Sequence, residues 1–131
     1  RNRIIFSTAS DHVVRGIYKK ACESLHLDSS NESTLQLFIQ YEGGETFWHM
    51  DSLAPDSNND VRKRSILFYL NEDFSGSEIA FPYSGLKFQP KKGTMLSYPI
   101  MNEYKEMSLL TSHSASILTK GKKYMCYFDY K

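Results

Sequence analysis

From Leu35 to its end the chain is cut into short runs in which apolar and polar residues alternate, each closed by turn residues. Residues two apart share one face of a pleated strand, so such runs bury their apolar side chains best as strands. Leu35, Leu37, Ile39 and Tyr41 alternate and stop at Gly43-Gly44, a hairpin signal, and Thr46 to Asp51 is the return run. Further strands are expected over about 65–70, 78–81, 86–89, 94–98, 113–119 and 123–130, with turns at Pro90-Lys91-Lys92-Gly93 and Lys120-Gly121-Lys122. Nine Tyr and eight Phe fit the same reading, since aromatic side chains suit the pleat. The polar stretches Ser52–Asp60, which holds Pro55, and Met101–Met107 have no periodicity and are expected as loops, the first at the surface.

One helical pattern precedes these runs. Val13, Val14, Ile17, Tyr18, Ala21 and Leu25 recur at helical spacing over about 10–27, with Ser10 or Asp11 as the cap and Asp28 to Asn31 as the following loop. The stripe Val13, Ile17, Ala21 and Leu25 is expected to be buried. One helix and then about eight short strands point to a β-sandwich or barrel with a helical buttress.

At 131 residues the chain holds one sizeable core and not two. A formal net charge of +1 argues against nucleic acid or an anionic membrane as the main partner, and no apolar run is long enough to span a bilayer. Neither terminus reads as a targeting peptide, which sets a cytoplasmic location as the expectation. Cys22 and Cys126 are expected as buried free thiols.

The residues that carry chemistry begin with His49 and Asp51. In a strand they project side by side, an imidazole beside a carboxylate. With one more histidine they would form the facial triad that suits Fe(II) and leaves positions open. The chain has four histidines. His12 and His26 fall on the helix or at its end, and His113 opens a late strand. Lys123 lies ten residues beyond His113, on the same strand face as Met125 and Tyr127. A lysine pointing inward needs an anion to offset its desolvation, and the far carboxylate of a dicarboxylic acid would serve.

The stretch from about Tyr41 to Phe128 resembles the prolyl 4-hydroxylase-like branch of the Fe(II)/2-oxoglutarate dioxygenases. The resemblance is carried in order by Tyr41, Gly44, His49 and Asp51; by Arg62, Ser65, Leu67, Tyr69 and Leu70; by Gly76-Ser77-Glu78-Ile79-Ala80-Phe81-Pro82; by Pro90 to Gly93; and by His113, Gly121 and Lys123. It implies a mainly β double-stranded β-helix, a cupin-like jelly roll over about 34–130, with the N-terminal helix packed on one sheet, in one domain spanning 1–131. It implies iron held by His49, Asp51 and His113, with 2-oxoglutarate anchored by Lys123 and hydrogen-bonded by Tyr41. Oxygen is the other co-substrate and ascorbate an optional reductant. The implied activity is hydroxylation of a C–H bond on a peptide or protein substrate, typically a peptidyl proline. Three departures stand out: the Tyr41–His49 gap is one residue short, Ser77 replaces a glycine, and Ile79 stands where a co-substrate-binding Thr is common. Rival readings keep the same residues: a non-catalytic binding module, a jelly roll with structural zinc, or an oxygenase acting on another residue or a small molecule.

Overall fold

The computed structural model describes residues 2–51, 62–101, 104 and 106–131. The loop expected over Ser52–Asp60 lies outside the described residues, as does part of the one expected over Met101–Met107.

The elements run in the order β1 (Asn2–Ser7), α1 (His12–Ser24), β2 (Thr34–Gln40), β3 (Thr46–His49), β4 (Arg64–Tyr69), β5 (Ser75–Gly76), β6 (Ile79–Phe81), β7 (Leu86–Phe88), β8 (Met95–Pro99), a 3-10 turn (Leu109–Thr111), β9 (His113–Ala115), β10 (Leu118–Lys120) and β11 (Lys123–Tyr130). A five-stranded sheet in the order β1-β2-β11-β4-β8 and a four-stranded sheet in the order β3-β9-β6-β7 are joined by a two-stranded piece, β10-β5. All pairings are antiparallel. This is the mainly β jelly roll implied by the resemblance.

Both faces of the five-stranded sheet carry buried residues. On one face Leu35, Ile66, Cys126 and Phe128 pack against Val14, Tyr18, Ala21 and Cys22 of α1. On the other, Phe38, Tyr69, Tyr98 and Met125 meet Ile79, Phe81 and Ala115 of the four-stranded sheet. The period of two assigns each residue its layer. Along β11, Lys123 and Met125 face the space between the sheets, and Cys126 and Phe128 face the helix.

Two expectations need correction. The buried helix stripe is Val14, Tyr18, Ala21 and Cys22, whereas Val13 is 59% and Ile17 40% exposed. Tyr18 decides this rotation: it is fully buried, with its ring 5.1 Å from that of Phe128 and 6.5 Å from that of Tyr130. The strand expected over 113–119 is two strands. At Ser116 and Ile117 the chain leaves β3 and β6 and turns to pair with β5. Strand β1 was not foreseen; it is a sheet edge whose Arg3, Ile4 and Ile5 are all exposed, so it shows no alternation.

Both ends of α1 are capped. Asp11 accepts from the backbone N–H groups of Val13 and Val14. At the other end Leu27 N–H bonds the Cys22 carbonyl and His26 N–H the Glu23 carbonyl, a Schellman closure with His26 in the left-handed region at φ 57°. A left-handed conformation costs a non-glycine residue about 1–2 kcal/mol, partly offset by the freedom glycine loses on folding. His26→Gly is therefore expected to stabilise the fold by about 0.5–1 kcal/mol, seen as a rise of a few degrees in Tm. Cys22 and Cys126 are free and buried, as expected. Burial raises both thiols, that of Cys126 to about 11. Below that pH the reactive thiolate is scarce. Neither should react with a thiol-specific disulfide reagent at pH 8 in the folded protein, and both should react in denaturant.

Candidate functional site

His49 closes β3, His113 opens β9, and the two are register partners across that antiparallel pair. Asp51 lies just past the end of β3 rather than within it, yet its carboxylate still turns back to the same point. One ligand atom from each of His49, Asp51 and His113 falls within a 4.8 Å cluster. Asp51 Oδ1 is 3.4 Å from His49 Nε2 and 3.8 Å from His113 Nε2.

The surroundings fix which atoms face this point. His49 Nδ1 is 2.9 Å from the Phe47 carbonyl oxygen, and His113 Nδ1 is 2.9 Å from that of Thr111. A carbonyl oxygen can only accept, so both Nδ1 atoms carry the proton and both Nε2 lone pairs are turned to the cluster. Asp51 is divided in the same way. Its Oδ2 accepts from Ser65 Oγ and from the Tyr98 hydroxyl, each at 2.7 Å, and Arg62 Nη2 stands 3.6 Å away. Its Oδ1 is left toward the two imidazoles.

The charge states agree with this arrangement. Burial pushes the Asp51 carboxyl up, but the hydrogen bonds that Oδ2 accepts from Ser65 and Tyr98 oppose it, and the carboxyl is held well below the usual carboxylate range. Burial lowers His113, keeping it neutral and able to coordinate. Burial, reinforced by the Asp51 charge, raises Tyr98 far above its ordinary value, so its hydroxyl remains a donor. Arg62 is tied from behind: Nε is 2.7 Å from Asp129 Oδ1, and Nη2 donates to Ser65 Oγ at 2.7 Å.

Two imidazole nitrogens and one carboxylate oxygen, unprotonated and converging, are a donor set for a divalent first-row metal. Donors that share such an ion at about 2.1 Å stand roughly 3–3.5 Å apart, close to the spacings around Asp51 Oδ1. The residues present therefore fit the group that the resemblance implies.

The cluster opens into a cavity of about 170 Å³ between the two sheets. That is the room of roughly half a dozen waters, enough for a small organic acid. Its apolar walls include Phe38, Leu67, Ile79, Leu96 and Met125. Lys123 also lines it and is only 2% exposed. Its Nζ donates to Ser77 Oγ at 2.7 Å and lies 5.7 Å from the centre of the Tyr69 ring. Lys122, its neighbour, is exposed, with its Nζ 5.6 Å from the centre of the Tyr41 ring.

The structure thus brings together His49, Asp51, His113 and Lys123 around one cavity. It does not bring Tyr41 there: Tyr41 is 43% exposed and lies past the end of β2, while Gln40 lines the wall. Phe47 and Trp48 are likewise exposed rather than core, and the Trp48 indole donates to Ser112 Oγ. Sequence reasoning missed Gln40, the donor role of Tyr98 and the Ser77 partner of Lys123. Gln40 could have been found from strand parity, two residues beyond Phe38; the other two are tertiary contacts with no local signal. His12 and His26 are exposed at the ends of α1, as expected.

No protein-family model matches the chain. It is 26% identical over 123 residues to a putative prolyl 4-hydroxylase of Acanthamoeba polyphaga mimivirus, a match covering 86% of this chain and 50% of the relative. The chain thus spans about half the length of the curated relative it matches. Its fold is similar to that of the viral collagen prolyl hydroxylase of Paramecium bursaria Chlorella virus-1, solved as a 2-oxoglutarate complex, with a TM-score of 0.76 at 22% identity over 97% of this chain and 76% of that one. It is also similar to a prolyl 4-hydroxylase of Pseudomonas putida, with a TM-score of 0.62 at 14% identity over 100% of this chain and 73% of that one. The resemblance that the motifs carry is thus found again by similarity along the chain, and the two solved structures share its fold.

Proposed function

We propose that this chain is the catalytic jelly roll of an Fe(II)- and 2-oxoglutarate-dependent dioxygenase that hydroxylates a peptidyl proline. The observation that carries the reading is one cavity with a His-Asp-His donor set on one wall and a buried lysine on another. His49, Asp51 and His113 would hold the iron. Lys123 would pair with the far carboxylate of 2-oxoglutarate, with the aliphatic walls around its carbon chain. When bound, the iron supplies the oxidising power, drawn from dioxygen and the decarboxylation of 2-oxoglutarate to succinate.

The protein's own share is orientation. Tyr98 and Ser65 occupy Asp51 Oδ2 so that Oδ1 alone faces the imidazoles. The Phe47 and Thr111 carbonyls hold both histidines in the coordinating tautomer. His49 is the open side of the cluster, its side chain 40% exposed against 13% for Asp51 and His113, and a substrate would approach there. Trp48 and Tyr83 are exposed with ring centres 6.2 Å apart, an aromatic surface suited to a proline ring. Structural zinc accounts for the three ligands but gives no reason for an inward lysine in the same cavity.

Anaerobic addition of Fe(II) and 2-oxoglutarate should produce the weak visible charge-transfer band of their chelate, and its absence would refute the reading. His49→Ala and His113→Ala should each abolish succinate formation from 2-oxoglutarate. Tyr98→Phe should leave the fold intact but weaken metal affinity about 10–100-fold, the usual cost of losing an outer partner of a ligand. Lys123→Ala breaks a buried charge pair worth roughly 3–5 kcal/mol, so the 2-oxoglutarate requirement should rise at least about a hundredfold. Metal binding should be unchanged in that variant, and Lys122→Ala, on the exposed side, should behave as wild type.

A further inference from the structure

Ser77 is fully buried and sits in the left-handed region at φ 56°, directly after Gly76 at φ 82°. Gly76 is required where it is, because a Cβ there would run into the Ile117 carbonyl oxygen. Ser77 has no such excuse. A serine in this conformation costs about 1–2 kcal/mol that glycine would avoid. Its hydroxyl is what a glycine would lack, and that hydroxyl accepts from Lys123 Nζ at 2.7 Å.

The position of the hydroxyl is fixed by the backbone around it. Gly76 pairs with Leu118 in the β5-β10 ladder, Ser77 N–H bonds the Ile117 carbonyl at 3.1 Å, and the Ser116 N–H bonds the Glu78 carbonyl at 3.0 Å. Glu78 N–H is further held by Ser116 Oγ at 2.9 Å. An ammonium has donors and no acceptor, so the Ser77–Lys123 bond takes one N–H of Lys123 and thereby directs the other two. Tyr69 limits the remaining freedom with a ring centre 5.7 Å from Nζ. Lys123 lines the cavity, and Ser77 stands behind it without lining the cavity itself.

We propose that Ser77 is a positioning residue that holds the Lys123 ammonium ready for the distal carboxylate of a 2-oxo dicarboxylic acid. This rests on the reading of the cavity as a 2-oxoglutarate site. Ser77 acts through the lysine, so its loss should be felt by a ligand with a second carboxylate and not by one without it.

The test is equilibrium titration of the Zn(II)-loaded protein, wild type, Ser77→Gly and Ser77→Ala, with 2-oxoglutarate and separately with pyruvate, which has the 2-oxo acid head but no distal carboxylate. Both variants should bind 2-oxoglutarate about tenfold more weakly, the scale of a hydrogen bond to a charged group, and bind pyruvate as wild type does. Ser77→Gly should stay folded and melt close to wild type because backbone relief offsets much of the lost hydrogen bond, which separates lost positioning from lost folding. Equal 2-oxoglutarate affinity in Ser77→Gly, or a parallel loss for both acids, overturns the positioning role alone. Failure of the wild-type protein to bind 2-oxoglutarate overturns the functional reading and this inference with it.

Discussion

Strand β11 is paired on both sides, to β2 over six register positions and to β4 over six, and everything chemical in the molecule depends on that double pairing. A slip of one residue in either ladder would send Lys123, Met125 and Tyr127 to the helix face and Cys126 and Phe128 into the cavity. The slip is opposed from both directions. Phe128 and Cys126 are locked into the layer with Tyr18, and Met125 into the layer with Phe38 and Tyr69. Burying an ammonium at the first residue of this strand is tolerable because apolar packing further along it fixes the register. The helix, far from the cavity, thereby helps decide which side chain lines it.

A second constraint acts on Asp51. A buried carboxylate has lone pairs to satisfy on both oxygens, and one that received no protein donors would be too costly to keep ionised. Here the donors are spent unequally. Ser65, Tyr98 and the nearby Arg62 crowd Oδ2, and Arg62 is itself balanced by Asp129. The carboxylate stays ionised without using the oxygen that faces the imidazoles. Stability of the charge and availability of a ligand atom, which usually compete, are assigned to different atoms of one side chain.

The legible and illegible parts of the sequence divide along the same line. Residues whose roles follow from parity on a long, doubly paired strand, such as Lys123, are placed as their spacing implies, as are His49 and His113, which face each other across one ladder. The helix was legible as an element but not in its rotation. Val13 and Ile17 match the period as well as Val14 and Tyr18 do, and only the Tyr18–Phe128 contact, between residues remote in sequence, chooses between the two faces. Strand β1 was hidden because Arg3, Ile4 and Ile5 of this edge strand are all exposed, which leaves no alternation to read. The donors on Asp51 could not be inferred because Ser65 and Tyr98 reach it from two different strands, each with an ordinary strand sequence around it.

Tyr41 marks a corner at which the chain departs from the pattern that the resemblance implies. Even-numbered residues of β2 face the cavity, as Phe38 and Gln40 do, so Tyr41 falls on the wrong parity and past the strand's end. The turn that follows confirms the commitment. A Cβ on Gly44 would meet the Gln40 side chain and the Tyr41 carbonyl oxygen at about 3 Å, so the hairpin folds closely over the glutamine. The inward position at this corner therefore belongs to a glutamine amide rather than to a phenol. An amide offers both donor and acceptor where a phenol offers one hydroxyl. Against the pattern that the resemblance implies, Ile79 adds no hydroxyl to the wall, Ser77 adds one from behind Lys123, and the lysine is present. The cavity thus has one buried ammonium on this wall, a glutamine amide in its lining and a serine hydroxyl behind the lysine.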